Sequence, residues 1–417
     1  MTNQPLHWPG GPLSGTAHLP ASKSEANRAL LLQRLAGGGT LSNLSEANDT
    51  VLMARLLGQA ATTNHLDAED AGTVMRFMTA YLAVTGWRGT LTGAARMKQR
   101  PIGILVEALR TLGAEIGYAE KENYPPLTFG GQALVARGPQ TELAVRGDIS
   151  SQYISALLLV GPTLPGGLRL RLTGDIGSRP YIRMTLSLMR HFGATATELP
   201  GEVIAVAPGG YRPADYAVES DWSAASYWYA LVALAPAGSA IELPGLRQES
   251  WQGDHVVQDI MRPLGVSTEF LADGSGVRLT QTALAPAPAT YAPLDFTDCP
   301  DLAQTVAVVA AALGRPLRLS GLHSLRIKET DRIAAIQTEL RKFGADMPEV
   351  APGVFEVQPG SFKVDGQVVA TYEDHRMAMA FAPLAMRGPL LVHEPQVVRK
   401  SYPSFWRALA AAGMVVD

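Results

Sequence analysis

The stretch "LRIKETDRIAAIQTELRKFGA", Leu325–Ala345, reads as a charged loop running into a helix that stops at a glycine. Thr330 is placed to cap the helix start, and Gly344 suits the left-handed residue that closes one. Arg326, Lys328 and Arg332 crowd this start beside Glu329 and Asp331. A helix N-terminus already repels cations, so a capped surface helix does not account for them. An anion bound at the helix start would.

The helix-to-glycine junction recurs along the chain. It stands at Gly58, Gly113, Gly193, Gly265, Gly344 and Gly413, mostly with a strand-like run after it, such as "VIAVAP" or "GVRLT". The intervals are too long and irregular for a solenoid. They fit six copies of a larger α/β unit with insertions.

With 417 residues, the chain is expected to form two or more domains. Hydrophobic residues make up 47% and charged residues only 18%, so local clusters of charge are informative. A net charge of −3 gives no basic excess, which argues against nucleic-acid binding. The single cysteine, Cys299, excludes an intrachain disulfide. The start "MTNQPLHWPGG" lacks the pattern of a signal peptide, and no apolar run is long enough for a membrane span. The chain reads as cytoplasmic.

Several helix starts repeat the anion theme. "LPASKSEANRALLL" brings Lys23, Ser24 and Arg28 to one helix, and "EDAGTVMRFM" offers Gly72, where backbone can approach a ligand. Arg96, Lys98 and Arg100 precede a proline-started helix at Pro101. Ser150, Ser151 and Gln152 open another, and Ser178 with Tyr181 a further one. "YEDHRMAMAF" carries Asp374, His375 and Arg376, and "VVRKSYPSF" carries Lys400. Asp301, before the apolar run "LAQTVAVVAAALG", reads as a carboxylate among cations that could accept a proton, with Glu329 in a complementary role. Cys299 reads as inert core. The histidines show no metal-binding spacing.

The ordered set "SKSEANRA", "AGTVMR", "RMKQRPIG", "SSQY", "SRPYI", "CPDLAQT", "RIKETDR" and "EDHRMAM" spans nearly the whole chain. It resembles the EPSP synthase family of enolpyruvyl transferases. The resemblance implies two domains, each of three βαβαββ units in an inside-out α/β barrel, with helix N-termini facing an interdomain cleft. By analogy one domain holds residues 1–20 and 220–417, the other 21–219. It further implies shikimate 3-phosphate bound by Lys23, Ser24, Arg28, Ser150, Ser151, Ser178, Asp301 and Lys328. Phosphoenolpyruvate would meet Lys23, Gly72, Arg100, Gln152, Arg332, Arg376 and Lys400. Asp301 would be the base, Glu329 or Lys23 would protonate the enol carbon, and Lys328 would polarise the reacting oxygen. No metal or organic cofactor, nucleic acid or membrane is implied, and the enzyme is expected to be a monomer.

Three positions depart from the family pattern. Asp70 replaces Asn before Ala-Gly-Thr, Ser324 replaces an Asn near the substrate phosphate, and Ala26 replaces Ser. The sister transferase acting on UDP-N-acetylglucosamine is the nearest rival, but it typically carries a loop cysteine in the half where this chain has none. A non-catalytic polyanion-binding scaffold is disfavoured by the acidic balance and the paired acid–base groups.

Overall fold

The computed structural model describes residues 3–134, 141–147, 151–284 and 293–417. The chain divides into two compact units, Ser22–Val218 and Met1–Ala21 with Glu219–Asp417.

The unit Ser22–Val218 carries helices α1 (Lys23–Ala36), α2 (Asn48–Gln59), α3 (Gly72–Val84), α4 (Gly103–Thr111), α5 (Ser151–Val160) and α6 (Arg179–His191). One sheet shows the repeat plainly. Strand Thr141–Arg146 leads through α5 to the parallel strand Leu168–Thr173. Then α6 leads to the hairpin Ala196–Leu199 and Val203–Val206, which completes the sheet antiparallel. Parallel neighbours need a crossover, and the helix supplies it; the hairpin needs only a tight turn. His65–Asp67, α3, Arg88–Thr92, α4, Ile116–Tyr118 and Leu127–Gly130 repeat the same order. The third copy is reduced. Among the described residues its sheet is Leu41–Ser42 beside Tyr216–Ala217.

The other unit carries α7 (Trp222–Leu234), α8 (Val257–Met261), α9 (Ala303–Ala312), α10 (Arg332–Lys342), α11 (His375–Phe381) and α12 (Phe405–Ala411). Strands Leu294–Asp295, Leu317–Ser320, Glu349–Ala351 and Val354–Val357 form one four-stranded sheet around α9 and α10. In another, the N-terminal strand Asn3–His7 lies between Leu390–His393 and Val415–Val416. The third has three strands, with Thr16 bridging Glu242 in parallel where a fourth would pair. The strand orders give open sheets and no closed barrel among the described residues.

Burial explains why the helix bodies are silent and their starts carry the chemistry. Every residue of α7 except Ser223 is buried, and α9 is buried along nine consecutive residues. A helix that is apolar all round belongs inside a core. The helix–glycine reading holds at Gly113, Gly193, Gly265, Gly344 and Gly413, all with positive φ. At Gly344 a Cβ would also sit 2.7 Å from the Ser361 carbonyl oxygen. Gly58 is a correction: it lies inside α2, which ends one residue later at Gln59, with Ala60 as its cap. Two further local readings shift. Asp331, not Thr330, caps α10, accepting from the N–H groups of Ile333 and Ala334, both at 3.1 Å. Pro101 precedes the Ile102 cap of α4 rather than starting the helix.

Candidate active site

Arg332 is the hub of the first cluster, in the unit that contains both termini. It opens α10 and is 2% exposed. Its Nε donates to Asp374 Oδ2 at 2.7 Å, Nη1 to Asp301 Oδ1 at 3.0 Å and Nη2 to Glu329 Oε2 at 2.9 Å. Asp374 is the side-chain cap of α11 and accepts from the Arg376 N–H at 2.8 Å. The Arg376 guanidinium in turn donates to Asp301 Oδ2 at 2.7 Å and to the Tyr227 hydroxyl on α7 at 3.3 Å. Lys400 Nζ lies 3.6 Å from Glu329 Oε1.

Asp301 stands on the 3₁₀ turn Pro300–Leu302 that leads into α9. Burial alone would raise its pKa. Arg376, Lys328 and Arg332 outweigh burial and hold the carboxyl well below its usual range. Burial would likewise lower the Arg332 pKa, but Asp374, Glu329 and Asp301 keep it raised. Lys328 goes the other way: burial lowers its pKa, opposed by Asp301. Arg326 does not join the cluster. It pairs with Asp331 at 3.4 Å and Glu349 at 3.5 Å, over the ring of Phe355. Of the three crowded cations, Lys328 and Arg332 therefore face Asp301 and Glu329.

The second cluster lies in the unit Ser22–Val218. Lys23 is the first residue of α1, after the Ser22 cap, and pairs with Asp49 of α2 at 3.3 Å. Arg28 is buried one turn on. It donates to Thr185 Oγ1 at 2.7 Å, the Ser24 carbonyl at 2.8 Å and Ser155 Oγ at 3.1 Å. Burial pulls its pKa down to about 10 despite Tyr181 and Glu25. Arg100 lies against the start of α3. A Cβ on Gly72 would come within 2.8 Å of Arg100 Nη1, so the missing side chain makes room for the guanidinium. Gln152 Nε2 donates to Thr73 Oγ1 at 3.1 Å beside it. Ser151 begins α5, and Ser178 caps α6 in the left-handed conformation at φ 57°. Lys98 instead pairs with Glu120 at 2.8 Å. Ser150 lies outside the described residues.

The departures sit in different settings. Asp70 is exposed, Ser324 is half-buried on the 3₁₀ turn His323–Ile327, and Ala26 is fully buried in α1. The sequence reading assigned no role to Tyr227 or to Asp374 as a ligand of Arg332. Asp374 had a local signal, an acid before an apolar helical run; Tyr227 had none.

Residues 38–409 match the family model described as EPSP synthase (3-phosphoshikimate 1-carboxyvinyltransferase). A protein of Bacteroides fragilis (strain YCH46) named 3-phosphoshikimate 1-carboxyvinyltransferase is 47% identical over 406 residues, 96% of each chain. One of that name from Shewanella halifaxensis is 35% identical, covering 96% of this chain and 97% of its own. The solved EPSP synthase of Acinetobacter baumannii shares the fold, with a TM-score of 0.78 over 100% of both chains at 21% identity. The protein is thus an α/β transferase. Within that class, the chain belongs to the EPSP synthase family.

Proposed function

We propose that the protein transfers the enolpyruvyl group of phosphoenolpyruvate to the 5-hydroxyl of shikimate 3-phosphate and releases phosphate. Family membership supports the substrates. The observation that carries the chemistry is Asp301, an ionised carboxylate held between Arg332 and Arg376 with Glu329 on the same hub. Asp301 takes the proton of the 5-hydroxyl as its oxygen attacks C2 of the enol. Glu329 or Lys23 delivers a proton to C3. The tetrahedral ketal phosphate then expels phosphate from C2 as the group that protonated C3 takes a proton back from it, which re-forms the double bond.

So low a pKa makes Asp301 a poor base in the free protein. Two bound anions would draw on the same cations and return proton affinity to Asp301 when it is needed. Arg376, Lys400, Gly72, Arg100, Gln152 and Lys23 take phosphoenolpyruvate in this reading. Arg332 also belongs to that set but acts mainly by fixing Asp301 and Glu329, since three carboxylates already engage it. Shikimate 3-phosphate falls to Lys23, Ser24, Arg28, Ser150, Ser151, Ser178 and Lys328. Catalysis is alignment of two molecules plus charge stabilisation, with no metal or organic cofactor assigned.

In this reading the two compact units act as two domains of inside-out barrel build. The protein acts as a cytoplasmic monomer. The chain crosses at Ala21 and near Ser220, which pair as an antiparallel bridge. Phosphate release from phosphoenolpyruvate, assayed with shikimate 3-phosphate and then with UDP-N-acetylglucosamine, tests the function. Release with the sugar nucleotide alone would replace this reading by its sister activity.

A further inference from the structure

The unit that holds Arg332 contains another carboxylate near Asp301, and the mechanism above leaves it idle. Asp254 stands on the 3₁₀ turn Gly253–Val256 and is 4% exposed. The Ser223 hydroxyl, in the first turn of α7, donates to its Oδ2. Its Oδ1 is buried with no hydrogen-bond partner. Among the described residues no cation forms an ion pair with it. The turn is held firmly. Gln252 Oε1 accepts from the Trp222 N–H at 3.0 Å, and Gln252 Nε2 donates to the Ser220 carbonyl at 2.8 Å. An ionised carboxyl in such a place is costly, and the group takes up a proton instead.

Its charged and titratable neighbours are Asp301 from the turn Pro300–Leu302, Arg376 from α11, Asp221 at the cap of α7, and Cys299. His255, next in the chain, turns Nδ1 to the Gln252 carbonyl at 2.6 Å. Burial first, then the charge of Asp301, pushes the Asp254 pKa up to about 7 against the pull of Arg376 and Ser223.

The charge balance gives this proton a consequence. Arg332, Arg376, Lys328 and Lys400 face Asp301, Glu329 and Asp374, which leaves one positive charge in excess. We propose that Asp254 is a positioning residue, a neutral acid whose proton preserves this excess for an anionic substrate, and whose ionisation cancels it. The inference rests on the reading of Arg376 and Lys400 as ligands of phosphoenolpyruvate.

The test compares the wild type with Asp254→Asn, which keeps the shape and cannot ionise. KM for phosphoenolpyruvate is measured below and above neutrality at saturating shikimate 3-phosphate. Phosphoenolpyruvate itself titrates, so the readout is the ratio of wild-type to variant KM. That ratio should climb severalfold above neutrality; a ratio independent of pH overturns the proposal. Should Asp254→Asn not fold, Ser223→Ala serves. It removes a hydrogen bond that favours the ionised form, so the rise in KM should move to higher pH, and an unmoved rise overturns the proposal. Calorimetric titration of the protein with phosphoenolpyruvate alone gives the same comparison without turnover. Absent catalysis would therefore sink the functional reading and leave this one decidable.

Discussion

Arg332 and Asp374 bind each other where neither side chain meets solvent: Nε lies 2.7 Å from Oδ2, at 2% and 0% exposure. The pair ties the start of α10 to the start of α11. Asp374→Asn leaves a buried guanidinium short of one counter-charge. Removing one partner of such a pair costs about 3–5 kcal/mol. Urea unfolding should show a clear drop in the midpoint. A midpoint equal to wild type would mean that Asp301 and Glu329 alone compensate Arg332.

Asp301→Asn should lower kcat by roughly 10²–10⁴, the range for a positioned acid–base group. Affinity for shikimate 3-phosphate, read by calorimetry, should change far less. Wild-type turnover in the variant would remove Asp301 from the role of base.

Gly72→Ala sets a methyl group 2.8 Å from Arg100 Nη1 and 2.9 Å from Nη2. The flexible arginine gives way, so the fold should survive. Displacing it forfeits one charge-assisted contact of about 1.5–3 kcal/mol, or roughly ten- to a hundredfold in KM for phosphoenolpyruvate. An unchanged KM would show that Arg100 makes no contact with that substrate.

Asp254 should also mark the pH dependence of stability. Its pKa rises from the ordinary 3.8 to about 7 on folding. The folded state then binds more protons than the unfolded one between these values, so stability falls as pH rises through that window. Asp301 has the opposite sign: its depressed pKa contributes stability that is lost as pH falls below the ordinary carboxylate value. Thermal unfolding of wild type against Asp254→Asn isolates the first effect. The difference between the two should shift in favour of the variant from pH 3.8 to 7. A constant difference would mean that Asp254 is ionised throughout.

What the residues determine alone is local or ordered along the chain. Gly113, Gly193, Gly265, Gly344 and Gly413, with no Cβ, follow helix ends at positive φ, and the order of the motifs marks the family. Even there a near neighbour decides between candidates: Asp331 outcompetes Thr330 because its carboxylate reaches two N–H groups at once. Gly58 looked like the other junctions but lies inside its helix, because an apolar helix followed by glycine does not by itself require a left-handed residue. The site needs the tertiary fold. Arg28 finds Ser155 and Thr185, and Arg332 finds Asp374, across separations that no local periodicity reports. Asp254 is the extreme case. Nothing in "SWQGDHVV" distinguishes it from an ordinary surface acid, since its charge depends on the water that packing removes and on an aspartate brought beside it from another turn.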